Sequence, residues 1–378
     1  MATLISWFFK IFNGGYTPKN GDPIYAPVHP ESDLIIKQKS SDNVTSRFAK
    51  LTKAKRAPHS NKQIDIIKEF DGNYKELPQF VDVCYFDWIA GKSDDNPIRD
   101  ASFEGKIIEY LSALAESEFA GANLIPRVPS VMVQLLKRMH EENVSGSELS
   151  RIITKDVVLV AAILNEVNNS YYNLTDKVTD LSQAILLLGH NRLRMVLAKL
   201  SFTPIYHAQL GVYTKLTASK IWDESQKRSL VCYLLAKHQQ VDPFMAFLAG
   251  LMQDVGLMVA LRVFDRSSGN GQLPTSAAFR LSFVQHALIL STRIAQIWSL
   301  PEIVIRAMEA QCGDRTALAK FPLAKVLKKA DFISKTCVLI DAQQLKIDME
   351  RARVVLSDSE LDCLFTMLEG QVNVTNVL

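Results

Sequence analysis

The sequence lacks the short glycine motifs by which many nucleotide-binding and hydrolytic enzymes are recognised. It has 16 glycines, yet none of them forms a Gly-x-Gly-x-x-Gly, a phosphate loop or a Gly-x-Ser-x-Gly elbow. Nucleotide hydrolysis on a P-loop and acyl transfer by an elbow serine therefore have no support in this chain. Any catalytic function has to rest on other residues.

The chain is also poor in the two residue types that most often bind transition metals. Four of its 7 histidines, His140, His190, His207 and His238, show no ligand spacing with one another. Its 5 cysteines are far apart and lie mostly in apolar runs, so a disulfide framework or a zinc knuckle is not expected and a reducing, cytoplasmic compartment fits best. The cysteines are Cys84, Cys232, Cys312, Cys337 and Cys363.

No excess of one charge marks the sequence. Its 43 basic and 40 acidic residues leave a formal net charge of +3. A dedicated nucleic-acid binder usually shows a concentrated basic face, so nucleic-acid binding is not expected. The hydrophobic content of 48% over 378 residues predicts a substantial core and two or three domains.

The first 60 residues differ from the rest of the chain. Residues 1–12 hold an aromatic-rich apolar patch from Leu4 to Phe12, which is shorter than the ~20 residues of a membrane-spanning helix. This patch predicts either a helix in the membrane interface, giving peripheral membrane contact, or a segment that docks on the protein or on a partner chain. Residues 13–60 are rich in proline and in basic residues and predict a flexible linker, with binding of anionic lipid or nucleic acid as the alternative.

From residue 61 onward the hydrophobic periodicity predicts one helix after another, and hence an all-α fold. Residues 61–120 are a predicted helical N-terminal extension. The first of its three predicted helices begins with Ile64, Ile67 and Lys68. The second covers Pro78 to Ala90, and the third covers Ser102 to Ala115. The inner face of the third is predicted to carry Phe103, Ile107, Tyr110 and Leu114. These apolar faces need a partner, and the bundle that follows is the expected one.

A characteristic order of motifs comes next. Two prolines in Leu124-Ile125-Pro126-Arg127-Val128-Pro129-Ser130 exclude regular helix, and Ser130 can cap the helix behind them. An apolar helix from Val157 to Val167 ends in Asn168-Asn169-Ser170-Tyr171-Tyr172, and the apolar stretch from Asp180 to Gly189 follows. Near the C-terminus, Ala324 to Leu339 is a further predicted helix. Ser357 to Glu360 is predicted to start a terminal helix with Leu361, Leu364, Phe365 and Leu368 inside.

This order of motifs resembles the HDOD domain family. Three later segments extend the resemblance to about residues 123 to 335. Trp222-Asp223-Glu224-Ser225 resembles a helix start of the family, and the other two segments are Phe247-Leu248-Ala249-Gly250-Leu251 and Trp298-Ser299-Leu300-Pro301-Glu302. The resemblance implies an all-α bundle of two packed helical halves, here residues 121–215 and 216–378. It also implies a place in bacterial signalling, in a family related to the HD phosphohydrolases but without demonstrated hydrolysis.

Leu251-Met252-Gln253-Asp254-Val255-Gly256 is the most informative stretch within that region. It resembles the His-Asp step of the HD phosphohydrolases, with Gln253 in place of the histidine. Asp254 lies in an apolar run from Phe244 to Leu261, where an ionised carboxylate is costly unless a cation, a metal or dense hydrogen bonding compensates it. Something must therefore neutralise Asp254.

The resemblance also implies where the rest of an HD metal site would lie. HD enzymes hold a divalent metal with a histidine, a His-Asp pair and a later aspartate, and the metal activates a water molecule. The first histidine position falls on Glu224 or Ser225, and further family positions lack imidazoles as well. The predicted vestigial pocket, in a cleft between the two halves, consists of Glu224, Ser225, Gln253, Asp254, His286, Gln311, Cys312 and Asp331.

Two interpretations of these acids remain open. Glu224, Asp254 and Asp331, with His286, could offer ligands to magnesium or manganese, which do not require imidazole. Alternatively, a basic side chain neutralises the aspartates and Gln253 hydrogen-bonds a neighbour, with no metal or other cofactor; this is the interpretation that we favour. The candidate bases are Lys227, Arg228, Lys328, Lys329 and Lys335.

We therefore predict a non-catalytic signalling protein whose HDOD region binds a partner protein or a small effector. The first alternative is a metal-dependent phosphohydrolase that uses carboxylates in place of histidines. The second is a membrane-surface adaptor that uses residues 1–12 and the basic linker. The apolar faces of the extension also make a homodimer plausible.

Overall fold

A computed structural model describes most of the chain from residue 68 onward. The predicted N-terminal segments 1–12 and 13–60, and the two-proline stretch 124–130, lie outside the described residues. The described residues are 68–69, 72–91, 101–116, 150–151, 153–154, 157–168, 177–207, 211–268, 273–274, 276–313, 315–348 and 352–369.

The predicted all-α fold is confirmed. Apart from one 3-10 turn and two strands of two residues each, the regular elements of the described part are α-helices. These helices are α1 (Leu77–Ala90), α2 (Ala101–Glu116), α3 (Val157–Val167), α4 (Leu181–His207), α5 (Val212–His238), α6 (Pro243–Met252), α7 (Val255–Ser268), α8 (Ala277–Ile297), α9 (Glu302–Cys312), α10 (Arg315–Lys320), α11 (Pro322–Asp341) and α12 (Asp358–Leu368).

One continuous hydrophobic core joins the N-terminal extension to the bundle. It runs from Tyr74 in the extension to Leu368 in the last helix. Helix α1 packs on α5 and α11, and α2 packs on α7 and α8. The extension therefore finds its partner in the bundle, as the apolar faces of its helices predict.

The beginning of the extension differs from the prediction. Lys68 does not belong to a helix; instead Lys68–Glu69 forms β1, which pairs in parallel with β2 (Leu345–Lys346). In this register Lys68 lies opposite Leu345. The helix prediction is wrong at this residue because the backbone forms its hydrogen bonds with a strand in the C-terminal part of the chain. No local sequence pattern indicates such a distant partner.

Helix α2 buries a slightly different stripe from the one predicted. Ile107, Leu111 and Leu114 are buried and Phe103 packs against them, whereas Tyr110 is 52% exposed. Spacings of four, four and three residues from Phe103 to Leu114 describe one helical face, and Tyr110 lies beside it. The assignment of Tyr110 to the inner face is therefore wrong, and its polar ring reaches solvent.

Helix α5 is the central element of the bundle. It contacts α4, α6, α7, α11 and α12 as well as α1, and it is buried on several sides between Tyr213 and Ala236. The predicted helix start at Trp222 is wrong, because Trp222 to Ser225 lie inside this 27-residue helix. The helix also runs without interruption through residues 215 and 216, so the two packed halves share it.

The apolar run around Asp254 forms two helices instead of one. Helix α6 starts with Pro243 and is capped by Asp242, whose carboxylate accepts from the Phe244 and Met245 amides. It ends at Met252, and α7 begins at Val255, so Gln253 and Asp254 lie in the turn between the helices. Their side chains can thus leave the helix surface and point toward α5 and α11.

This pair of helices is also the most membrane-like stretch of the described chain. The segment Pro243–Ser267 is, among the described residues, the one stretch long and apolar enough to cross a membrane. Its most apolar window is completely buried inside the protein, as is typical of a core helix.

The C-terminal helix follows its prediction closely. Ser357 and Glu360 form a capping box, in which the Glu360 carboxylate accepts from the Ser357 backbone N–H at 2.8 Å. The inner face predicted for this helix is buried in full, with Leu361, Leu364, Phe365 and Leu368. Helix α12 thereby closes the bundle against α5 and α11.

Close packing at Gly256 generates a first prediction. A Cβ atom there would lie 2.0 Å from the Ala287 carbonyl oxygen and 2.4 Å from the Ser291 nitrogen, so α7 and α8 would have to separate. We expect Gly256→Ala to lower the free energy of unfolding by roughly 1–3 kcal/mol or more, measured by urea denaturation.

Gly105 in α2 is the matched control. A Cβ atom there meets nothing within 4 Å, so Gly105→Ala should leave stability unchanged or raise it by up to ~1 kcal/mol. Equal stability of the two variants would contradict the close helix contact at Gly256.

Candidate functional site

A buried arginine, Arg228, lies at the centre of the predicted vestigial site. Its side chain has no exposure to solvent, and each of its five N–H groups has an acceptor within hydrogen-bond distance. The partners are Gly250 O for Nε (3.0 Å), Glu224 Oε1 and Asp331 Oδ1 for Nη1 (3.2 and 3.1 Å), and Ser225 Oγ and Asp254 Oδ2 for Nη2 (3.3 and 2.9 Å).

Three separate parts of the chain bring this cluster together. Helix α5 supplies Arg228 and, one helical turn earlier, Glu224. The turn between α6 and α7 supplies Asp254, and α11 supplies Asp331. Because α5 packs directly against both α6 and α11, the three carboxylates converge on a single guanidinium group. We call Arg228 and these three acids the arginine cluster.

A further layer of hydrogen bonds surrounds the arginine cluster. Ser334 donates to Glu224 Oε1 at 2.5 Å, and Gln253 Nε2 donates to Asp331 Oδ1 at 2.9 Å. The Lys335 ammonium group lies 2.8 Å from Asp331 Oδ2. Glu224 and Asp331 therefore each have a partner in addition to Arg228, which limits the cost of their burial.

The pKa shifts in the arginine cluster and its neighbour Lys335 indicate that positive and negative charges are paired there. Although burial alone lowers the pKa of Arg228, the adjacent Asp254, Glu224 and Asp331 raise it well above its usual range. Burial likewise raises the pKa of Asp331, but Lys335 and then Arg228 outweigh it and hold this pKa below its usual range. Arg228 and Lys335 are therefore cations, and Asp331 is an anion.

Glu224 is the acid of the cluster whose pKa is raised. Burial raises this pKa well above the usual range, and Arg228 opposes the shift while Asp254 adds to it, also through a hydrogen bond. Glu224 Oε2 is buried and lies 3.0 Å from Arg228 Nη1, and the raised pKa favours the protonated form of this carboxyl group. With Glu224 neutral, two aspartates face two bases and the buried charges cancel.

The N-terminal extension covers the cluster. Asp82 in α1 lies 2.7 Å from Lys335 Nζ, which also lies over the Tyr85 ring at 5.5 Å from its centroid. The Tyr85 hydroxyl is buried; this burial raises its pKa, and negative charge on the acids of the cluster adds to the shift. Helix α1 thus seals the side of the cluster on which Tyr85 lies.

The predicted open cleft at these residues is therefore not present. The six residues that meet at the centre are between 0% and 7% exposed, because a side chain from α5 fills the space between the acids and α1 lies over them. They are Glu224, Ser225, Arg228, Gln253, Asp254 and Asp331.

The remaining predicted site residues, His286, Gln311 and Cys312, are not among the hydrogen-bond partners of the acids in the described chain. Gln311 lies near Gln253, beside Leu288, Thr292 and Met308. Gln311 donates to the Ala324 carbonyl at 2.8 Å, and Cys312 contacts the Met308 carbonyl within its own helix. The His286 Nδ1 atom forms a hydrogen bond with the Ser282 carbonyl oxygen at 2.8 Å, one turn earlier in the same helix. This bond of the imidazole is therefore local to α8.

The residues present do not fit a divalent metal at this centre. Four of the six carboxylate oxygens, namely Glu224 Oε1, Asp254 Oδ2 and both oxygens of Asp331, already accept from Arg228, Gln253, Ser334 or Lys335. A guanidinium group lies where they converge, and a second cation there would be repelled. Across the described part of the chain, no group of three acidic, histidine or cysteine residues has the arrangement of a metal site.

Sequence reasoning identified part of this arrangement. Arg228 and Lys335 were among five candidate bases, and each lies four residues after an acid that it contacts, Glu224 and Asp331 respectively. That i,i+4 spacing is the signal that could have selected them. Tyr85 and Ser334 had no such signal, because only the packing of α1 and α11 on α5 brings them to the cluster.

The helical bundle thus holds three buried acids around a central arginine. The model of the HDOD domain matches residues 125–312, about half of the chain. The chain belongs to the HDOD domain family. The match includes the first two acids of the cluster and ends before Asp331.

Individual relatives are distant. An uncharacterised protein of Treponema pallidum (strain Nichols) is 23% identical over 194 residues, which cover 49% of this chain and 37% of that protein. The chain thus matches little more than a third of that relative's length.

Two solved structures are also only distantly similar to this chain. A Shewanella amazonensis SB2B protein, provisionally named a metal-dependent phosphohydrolase, is 15% identical with a TM-score of 0.46, covering 71% of this chain and 99% of that one. A Marinobacter aquaeolei VT8 protein, provisionally named a signal transduction protein, is 16% identical with a TM-score of 0.43, covering 74% and 67%.

The proton on Glu224 generates a second prediction. We expect Glu224→Gln, which mimics a neutral side chain, to cost much less stability than Asp331→Asn, which removes a charged partner of Arg228 and Lys335. The latter should cost roughly 3–5 kcal/mol near neutral pH. Urea denaturation of both variants beside the unmodified protein measures the difference.

The pH dependence has opposite signs for the two acids. The raised pKa of Glu224 contributes stability at low pH that declines as the pH rises above about 4.3, so Glu224→Gln should lessen the loss of stability toward high pH. The lowered pKa of Asp331 contributes stability above about 3.9 that is lost on acidification, so Asp331→Asn should cost less in acid. Equal costs for both variants at every pH would contradict a protonated Glu224.

Proposed function

We propose that this protein is a non-catalytic regulator whose HDOD domain binds a partner protein or a small effector. The observation that carries the proposal is the position of Arg228 between Glu224, Asp254 and Asp331. These acids serve an internal cation, so they are not available as a metal-binding set. The family resemblance supports a role in bacterial signalling.

The chemistry of metal-dependent hydrolysis argues in the same direction. A catalytic metal needs a free coordination position for water or substrate, and the water has to reach the scissile bond. Here the acid oxygens are engaged by basic and polar side chains, and α1 covers them through Asp82 and Tyr85. A substrate would have to displace a helix with six buried core residues before it met the acids.

We also propose that the protein is cytoplasmic. A cytoplasmic location is supported by the five cysteines, all of which are free thiols in the described residues. Peripheral membrane contact through Leu4 to Phe12 and a homodimer remain predictions from the sequence. Neither is needed for the proposed role of the arginine cluster.

Replacement of Arg228 generates a third prediction. Arg228→Ala leaves the buried acids without their shared cation, so we expect it to lower the free energy of unfolding by roughly 3–5 kcal/mol near neutral pH. Because the vacated position is surrounded by oxygen ligands, millimolar manganese should raise the unfolding midpoint of Arg228→Ala and leave that of the unmodified protein unchanged.

Arg306→Ala is the control for this experiment. Arg306 is exposed and pairs with Glu302 one turn earlier on α9, so its loss should cost less than about 1 kcal/mol and create no response to manganese. Stoichiometric manganese in the unmodified protein, together with manganese-dependent hydrolysis of bis(p-nitrophenyl) phosphate that Asp254→Ala abolishes, would overturn the proposed function in favour of a phosphohydrolase.

A further inference from the structure

A cleft away from the arginine cluster lies where α4 meets α5 and α6. It has a volume of about 280 Å³. One wall is aromatic and apolar, and the rest carries a cation, a carboxylate and an amide. The lining residues are Asn191, Arg194, Met195, Tyr233, Asp242, Pro243 and Phe244. We call it the Arg194 cleft.

Arg194 is the side chain that makes this cleft unusual. Its guanidinium carbon lies 4.0 Å from the centroid of the Phe244 ring, so one face of the cation is covered by an aromatic surface. Its Nε–H is buried and has no hydrogen-bond acceptor among the residues that the structure describes. Burial lowers the pKa of Arg194, and Asp242 opposes that shift only in part. A partly desolvated guanidinium group is suited to an anion.

Asp242 does not neutralise the cleft by itself. Its Oδ1 atom caps α6, accepting from the Phe244 amide at 2.7 Å and the Met245 amide at 3.1 Å. The carboxylate is thereby balanced by the positive end of that helix. The Arg194 charge therefore remains available to a ligand.

Further positive charge lies at the Tyr233 side of the cleft. The Lys237 ammonium group is 4.6 Å from the centroid of the Tyr233 ring. Burial raises the pKa of Tyr233, and the nearby positive charge of Arg192 counteracts this rise in part. Asp242 is thus the one acid that lines the cleft, against Arg194 in its wall and two further cations near Tyr233.

We propose that the Arg194 cleft binds a small organic anion with a planar ring. Its carboxylate or phosphate accepts hydrogen bonds from Arg194, and its ring packs against the aromatic wall formed by Tyr233 and Phe244. The volume is just below the range of about 300–1,000 Å³ typical of ligand pockets, which favours a ligand of one ring system. This inference rests on the proposed regulatory function, for which it names the effector site and the effector's chemistry.

The location of the cleft suits an effector site. It is bordered by α4 from the N-terminal half and by α5 and α6, the helices that hold Arg228 and the Gly250 carbonyl it contacts. A ligand there would contact the start of α6, and that helix leads directly into the Gln253–Asp254 turn. Binding can therefore act on the same helices that build the arginine cluster.

Calorimetric titration of the full chain with four probes tests the proposal. Phenyl phosphate and benzoate carry both the ring and the anion, inorganic phosphate carries only the anion, and phenol only the ring. We expect saturable binding of at least one of the two aromatic anions, at least about tenfold tighter than phenol or inorganic phosphate. Which aromatic anion binds more tightly distinguishes a phosphate ligand from a carboxylate ligand.

Two variants locate the site. Arg194→Gln should weaken the aromatic anion at least about tenfold, equivalent to ~1.4 kcal/mol. Asn191→Asp adds a negative charge at the exposed mouth of the cleft and should also weaken binding of the aromatic anion. Because Asn191 is exposed, this variant leaves the core intact and tests the site even if Arg194→Gln fails to fold. Arg306→Gln, an equal loss of charge elsewhere on the surface, should leave binding unchanged.

Several outcomes would overturn the effector site. These are no saturable binding of either aromatic anion, phenol binding as tightly as phenyl phosphate, or affinities that both cleft variants leave unchanged. A failure of this kind concerns the cleft alone, because the proposed function is tested separately by the manganese response of Arg228→Ala.

Discussion

The buried guanidinium group of Arg228 is the interaction on which the rest of the structure depends. Removing an arginine and three carboxylic acids from water costs several kcal/mol per ion, and only close pairing and full hydrogen bonding can offset this cost. Arg228 meets both conditions with five donors and five acceptors, in a planar geometry that a lysine could not reproduce. Its partners come from α5, the α6–α7 turn and α11, so one side chain fixes how these parts pack.

The cluster also explains why the N-terminal extension belongs to the fold. Lys335 is shared between Asp331 in the cluster and Asp82 on α1, and its ammonium group lies over the Tyr85 ring of the same helix α1. The apolar residues beside them, such as Val81 and Phe86, are part of the common core. The arginine cluster is thus closed by the chain itself on the side of α1.

Much of the fold could be predicted from the sequence, because helical periodicity is a local signal. The bounds of α3, Val157–Val167, and the capping box at Ser357 follow directly from their residues. The strand at Lys68 and the exposure of Tyr110 could not be predicted, since the first depends on pairing with Leu345 and the second on which neighbours cover α2. Local patterns do not contain either contact.

The site was predictable in part for the same reason. Motif order indicated Glu224, Gln253 and Asp254, and the burial of an acid in an apolar run indicated that a cation must meet it. The choice among five bases and the closure by Tyr85 depend on how α1, α5 and α11 cross, which only tertiary packing determines. The open cleft expected at the acids was wrong because the arginine itself fills the volume.

The most direct test of the central claim is anomalous X-ray scattering from crystals of the unmodified protein soaked in manganese. We predict no manganese peak among Glu224, Asp254 and Asp331, with clear density for the Arg228 guanidinium between the three carboxylates. A manganese ion bound by Asp254 and Asp331, with the Arg228 side chain displaced from the centre, would contradict the account.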